Sequence, residues 1–289
     1  MSYRNQRQLW QYIISTGFFF TVIFLVYSCN SGASGQTSDV VLYAETDPAA
    51  TAIDKIKQPP TILGLDTFYK KYLNASGIPV ISSAKVPDEA LYAVQRTINA
   101  MMMLRPDVLA KMIENRARVG ILAKSEVTTD LPEFRFLKDD TSDKWDELRG
   151  LGAEIETPIN SCAEENILCY GEGVDPYFYE DIVIHEFAHT VHALGISLVD
   201  TNFDIELLEA FENAKAKGLW KNTYAGSNQD EYFAEGVQDW FNLNAESIPD
   251  DNIHNEINTR EELKNYDPKL YEIIKRYFPE EYGKISCHQ

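Results

Sequence analysis

The chain has 289 residues, 44% of them apolar and 12% aromatic, enough to bury a substantial core and to exclude disorder for most of its length. Its 26 basic and 45 acidic side chains give a formal charge of −19. No basic stripe interrupts that acidity, which excludes nucleic acid as a partner and otherwise describes a solvated surface.

Arg4 and Arg7 precede an apolar run from Phe18 to Tyr27, and Ser28-Cys29-Asn30-Ser31-Gly32 follows it. A short positive segment, a brief apolar core and small residues are the parts of an export signal. A membrane span needs roughly 20 apolar residues and would have to recruit the upstream stretch from Trp10 to Gly17. Val26-Tyr27-Ser28-Cys29 resembles a bacterial lipobox, in which the cysteine is lipidated and becomes N-terminal, although Tyr27 is bulkier than that pattern usually holds. The expectation is an export signal or N-terminal anchor over residues 1–28 with Cys29 as the lipidation site. Ordinary secretion and an uncleaved anchor are the alternatives. Each places the domain outside the cytoplasm and allows membrane contact only through the anchor or lipid.

Residues 29–60 read as a flexible tether, polar and rich in Ser and Gly at its start and ending at Pro59-Pro60. Ordered structure is expected from Thr61, with a helical segment from Leu65 to Leu73. Ile78 to Ser82 reads as a strand that Pro79 assigns to a sheet edge. Pro87-Asp88-Glu89 opens a helix on which Leu91, Val94, Ile98, Met101 and Met102 repeat at helical spacing, the methionines as core filler. A second helix runs from Pro106 to Asn115, and Arg118 to Ala123 reads as a buried strand. Thr128 to Asp143 reads as loop, and Ile167 to Tyr170 as another short strand. Helices are expected at 178–195, 202–217, 228–244, 259–265 and 267–277. Strands in the first half and helices in the second define an α+β class. Cys162 and Cys169 bracket a loop that a disulfide could close in an oxidising compartment, with buried thiols as the alternative. Cys287 is left without a role.

His185 and His189 stand four apart in the apolar run Ile182-Val183-Ile184 … Phe187-Ala188 … Val191. Four residues advance a helix by about 400°, so the two imidazoles leave one face about 40° apart and one turn along. Both can then reach one zinc ion at about 2.0–2.1 Å. Glu186 points toward the place of a metal-activated water, as a general base that later passes the proton to a leaving amine. Surface polarity on an ordinary helix is the competing reading, and burial of a charged triplet without a metal argues against it. A third histidine in the metzincin spacing would fall at position 195, which is Gly195. His192 lies a further turn along the same face, too far to join both other histidines on one ion, and reads as a support behind the ligands, cleft wall or exposed residue. The third ligand is therefore sought on a second helix, where Glu231-Tyr232-Phe233-Ala234-Glu235 offers two carboxylates one turn apart. One can bind the metal while the other accepts the N–H of a liganding histidine.

His185-Glu186-Phe187-Ala188-His189 followed by Tyr224 … Glu231-Tyr232-Phe233-Ala234-Glu235 resembles the gluzincin group that contains the catalytic domain of anthrax lethal factor and its relatives. The likeness spans roughly residues 181–240, about a fifth of the chain. It implies a zincin-like domain over 61–289, Zn2+ on His185, His189 and Glu231, and a Tyr224 hydroxyl that stabilises the oxyanion. Glu235 is then left to support a liganding histidine. The implied activity is a zinc-dependent endopeptidase acting on a peptide or protein substrate held by strand addition to an edge strand, for which Arg118–Ala123 and the Ile167 strand are the candidates. The alternatives are hydrolysis of a non-protein amide such as a cell-wall cross-link, or a catalytically silent surface-binding lipoprotein. Glu165, Asn166, His254 and Arg260 are expected to be ordinary surface or capping groups.

Overall fold

The computed structural model describes residues 55–140 and 144–289; the export segment, Cys29 and the tether up to residue 54 lie outside the described residues. The chain joins the sheet at Lys57, whose backbone pairs with Tyr72. Strand β1 (Lys71–Ala75) turns through Ser76 and Gly77, both at positive φ, into β2 (Ile78–Ser82). Two such residues make the primed turn that matches strand twist. The helix expected over Leu65–Leu73 does not form, because Asp66 closes a local turn by accepting from the Phe68 N–H at 2.7 Å and Lys71 onward pairs with β2.

Helices α1 (Asp88–Met101) and α2 (Pro106–Glu114) follow, each opened by proline and an acidic first turn. Next come β3 (Arg118–Leu122), short 3-10 turns at Thr128–Asp130 and Pro132–Asp139, β4 (Gly150–Leu151) and β5 (Ile159–Ala163). The sheet order is β1-β2-β3-β5-β4, with β2, β3 and β5 parallel and the two outer strands antiparallel. Thus β2 is internal and not the edge that Pro79 suggested. Pro79 faces Asn74 one pair beyond the hairpin's closing pair, a position that makes no ladder bond to β1, and pairing with β3 begins only at Val80. The missing N–H therefore costs nothing.

The second half is helical: α3 (Glu164–Ile167), α4 (Ile182–Val191), α5 (Phe203–Ala216), α6 (Gln229–Trp240), α7 (Arg260–Tyr266) and α8 (Pro268–Ile274). The mixed fold with its small sheet agrees with the α+β expectation. Helix α4 is the axis of the molecule, lying between β5 and α6. Ile184, Phe187 and Ala188 are fully buried on it, facing a core that includes Phe233, Val237 and Trp240 of α6. Each such large side chain contributes about 1.5–3 kcal/mol on leaving water. The apolar stretch Ile182–Val199 is long enough for a bilayer by composition, yet it is the core helix of this domain.

Residues 164–181 differ most from the sequence reading. Ile167–Tyr170 is not a strand: the chain leaves β5 through the one-turn α3, and Cys169 adopts a positive φ. Cys162 alternates inward from β5 and remains a buried free thiol, while Cys169 bonds to Cys287. The expected Cys162–Cys169 bridge is therefore wrong. A cysteine in mid-strand is fixed by the pleat toward the core, whereas α3 carries Cys169 toward the C-terminal segment. Helix α4 begins at Ile182, not near 178, because Asn166 Oδ1 accepts from the Ile182 N–H at 2.9 Å and Asp181 caps Ile184 at 3.1 Å.

Candidate metal centre

Two caps place the donors. Asp181 starts α4 so that His185, Glu186 and His189 fall where the helix passes beneath β4. Asn228 starts α6 by accepting from the N–H groups of Asp230 and Glu231 at 2.8 and 2.9 Å, which fixes Glu231 in the first turn. The two helices then bring three atoms together. His185 Nε2 lies 3.0 Å from Glu231 Oε2, His189 Nε2 lies 3.2 Å from the same oxygen, and the two imidazole nitrogens are 3.2 Å apart. Ligands about 2.0–2.1 Å from one tetrahedral ion stand roughly 3.3 Å from one another, so this triangle fits a single cation.

The electrostatics favour positive charge at that focus. Burial opposes ionised Glu231, but His189 and His185 hold its carboxyl well below the usual range. Burial likewise opposes protonated His185, yet Glu231 and Glu235 raise it well above an ordinary imidazole. A proton or a metal cation would satisfy the same demand. Two imidazoles and a carboxylate form a donor set suited to zinc. Among the described residues two further clusters bring metal donors together: Glu180, Glu235 and His254, and Cys169, Cys287 and His288. In the latter the disulfide already occupies both sulfurs.

The outer side of His185 is tied down by a residue absent from the sequence reading. Nδ1 lies 2.8 Å from Gln238 Oε1 and 3.2 Å from Glu235 Oε1. The Gln238 amide nitrogen donates to Asp181 O at 3.2 Å and to Glu180 Oε2 at 3.3 Å, so its oxygen must face the ring. As a neutral ligand His185 would therefore keep its proton on Nδ1, leaving the Nε2 lone pair for a cation held with Glu231 and His189. The sequence held one clue: Gln238 follows Glu231 by seven residues, two turns along the same face of α6.

Glu186 is 2% exposed, and its Oε1 has no hydrogen-bond partner. Burial pushes its carboxyl up to about 7, against the pull of His185 and His189. Tyr224 stacks 6.0 Å from the His185 ring, bonds through its side chain to Glu231 and receives support from its own N–H to Ile253 O at 2.7 Å. Burial, reinforced by Glu231, holds its hydroxyl well above the ordinary tyrosine value, so it stays protonated.

No protein-family model matches the chain, and no curated protein matches it. The site therefore rests on its own geometry.

A cleft of about 870 Å3 opens over these groups. One wall is apolar, from Phe134, Leu137, Trp145 and Leu151; Asp204 and Asp230 stand on another side. The strand at its rim is β4, which neither sequence candidate identified. β3 is paired on both sides and the Ile167 segment is no strand, whereas among the described residues β4 pairs only with β5. His192 lines the cleft, nearly buried, with Nε2 2.8 Å from Asp204 Oδ1, and does not approach the metal donors as a ligand. The remaining polar candidates are structural, and three of them are buried rather than superficial. Glu165 takes a two-pronged ion pair from Arg149 at 2.5 and 3.1 Å, Asn166 organises the entry to α4, and His254 faces Glu180 at 3.3 Å. Arg260 lies over the Trp240 ring and donates to Trp240 O.

Proposed function

We propose that this protein is a zinc-dependent endopeptidase of zincin-like type, related to the lethal-factor group and acting outside the cytoplasm. The observation that carries the reading is the convergence of His185 Nε2, His189 Nε2 and Glu231 Oε2 within 3.2 Å of one another, beside a buried Glu186 oxygen without a partner.

Zinc held by these residues supplies a Lewis acid that polarises a carbonyl and makes a water nucleophilic near neutral pH. The chain's own groups divide the rest. Glu186, whose carboxyl burial raises above the ordinary range, can accept a proton and return it to a leaving amine. Tyr224, kept protonated, donates toward the developing oxyanion. Glu235 and Gln238 hold the His185 tautomer. The one-sided edge of β4 offers backbone groups to an extended chain, and a substrate that adds as a strand lies along the cleft above Glu186. The Cys169–Cys287 bridge supports an oxidising compartment and, with the N-terminal sequence, an exported or lipid-anchored protein.

The test is a mass-spectrometric digest of a mixed peptide library by the purified chain beside Glu186→Gln. Cleavage by the wild type alone is expected. Absence of cleavage by both, with zinc present in the protein, would move the reading to a non-protein amide such as a cell-wall cross-link.

A further inference from the structure

Behind the three donors lies a second buried group, of which the chemistry above uses only Glu235. Glu180, Glu235 and His254 are all buried, and their ligand-type atoms converge closely enough to hold an ion. Their present partners point to another role. His254 Nε2 lies 3.3 Å from Glu180 Oε2, while its Nδ1 faces Asp251 Oδ2 at 3.9 Å. An imidazole between two carboxylates carries a proton on each nitrogen, so Glu180 already has its counter-charge. A metal would have to displace that proton and dismantle the pair.

Among the described residues, Glu180 is also one of the two acceptors that orient the Gln238 amide nitrogen. The amide nitrogen of Gln238 donates to Glu180 Oε2 and to Asp181 O, and its oxygen thereby faces His185 Nδ1. Without the imidazolium, a buried Glu180 carboxylate lacks its nearest cation and tends to neutralise, which weakens its hold on the amide. The amide could then turn its N–H toward His185 Nδ1 and favour the tautomer whose Nε2 proton blocks metal binding. The turn that carries His254 reaches the other side of the site as well. Asp251 Oδ1 accepts from the N–H groups of Ile253 and His254 at 2.9 Å each, and Ile253 O accepts from the Tyr224 N–H at 2.7 Å.

We infer that His254 is a positioning residue for the metal centre: through Glu180 and Gln238 it holds His185 in its metal-binding tautomer, and through its turn it seats Tyr224. The inference rests on the metal-centre reading above. Groups that touch a liganding histidine directly change metal affinity about 10–100-fold, and a residue further out on the same path is expected to change it less.

The experiment is zinc competition against a chromogenic chelator on the full chain, for wild type, His254→Gln, Gln238→Leu and the double variant, with Co2+ spectra as a readout that general destabilisation does not move. His254→Gln should weaken zinc about five- to tenfold and shift the Co2+ absorption. In the Gln238→Leu background it should add less than about twofold, because the path to His185 is already broken. If His254→Gln does not fold, Asp251→Asn, at the outer end of the same path, is expected to weaken zinc about two- to threefold. Unchanged affinity in the folded variants, or fully additive losses, overturns the inference. So does a second zinc per wild-type chain that His254→Gln alone removes, since the cluster would then be a metal site itself. A wild-type chain that binds no zinc, or binds it equally after His185→Ala, sinks the metal-centre reading along with it, an outcome distinct from normal wild-type binding with an unaffected His254→Gln.

Discussion

A β-carbon placed on Gly150 would stand 2.7 Å from Glu186 Oε1 and 2.7 Å from Ile182 Cγ2. Gly152 makes the same approach to His189, at 2.8 Å from its Cβ. The edge strand and the residue after it thus lie close against the side chains of α4 because two glycines leave room for them, and a side chain at Gly150 would push the strand and the Glu186 carboxylate apart.

Gly150→Ala is therefore expected to displace Glu186 or β4 while leaving the three metal donors in place. Turnover should fall on the order of 100-fold, as for other small misplacements of a catalytic group. Stability should fall by about 1–3 kcal/mol. Peptide turnover, zinc content and urea denaturation check this, and undiminished turnover would show that β4 does not set the Glu186 position.

Tyr224→Phe should lower kcat by about 10²–10³ and leave KM nearly unchanged, since a donor to the oxyanion acts in the transition state. Steady-state kinetics on a cleaved library peptide decide the matter. An equal kcat would remove Tyr224 from the chemistry and leave it a packing residue.

For Gln238→Leu the expected loss is in metal affinity, about 10–100-fold, because His185 Nδ1 loses its closest acceptor. Chelator competition measures it. Glu235, 3.2 Å from the same nitrogen, could take over the N–H, and an unchanged affinity would assign it that role.

Stability should decline at alkaline pH through His254. Burial lowers its affinity for a proton, but Glu180 and Asp251 override this and raise its pKa to about 10. A pKa raised on folding stabilises fully below the unfolded value of about 6.5 and loses that contribution as pH rises through about 10. Between those limits the slope can reach about 1.4 kcal/mol per pH unit. Urea denaturation at pH 7 and pH 9.5 should show a marked loss for wild type and a smaller one for His254→Gln. Parallel losses would mean that another group titrates.

Cys287→Ser should destabilise the fold by about 2–5 kcal/mol, the usual cost of losing a native disulfide. The bridge closes a loop with a sequence separation of 118 between a C-terminal segment and the turn that precedes α4. Thermal unfolding tests the loss, and a peptide map should find Cys169 linked to Cys287 and never to Cys162.

The helices that carry the donors, and the donors themselves, were readable because their signals are local. His185, Glu186 and His189 share a helix whose apolar spacing and i, i+4 geometry need no knowledge of the rest of the chain. Glu231 and Glu235 were readable as a pair on a second helix for the same reason. What lay beyond local pattern was every question of which distant segment meets which. The partner of Cys169, the internal place of β2 and the identity of the edge strand depend on contacts between residues far apart in sequence. Strand β4 spans only Gly150–Leu151, too short for any alternation to announce it.

The sequence by itself determined the His185, Glu186 and His189 triplet, a pair of candidate carboxylates at Glu231 and Glu235, the helical frame that presents them and the acidic, core-rich character of the domain, because spacing on a helix and side-chain chemistry are properties of a few adjacent residues. Tertiary structure alone decided that the donors meet within 3.2 Å, that Gln238 and not only Glu235 holds His185, and that His254 is buried behind them. Those facts arise from the docking of α4 on α6 and of the 251–254 turn beneath both, and such docking is set by the shape of the whole core.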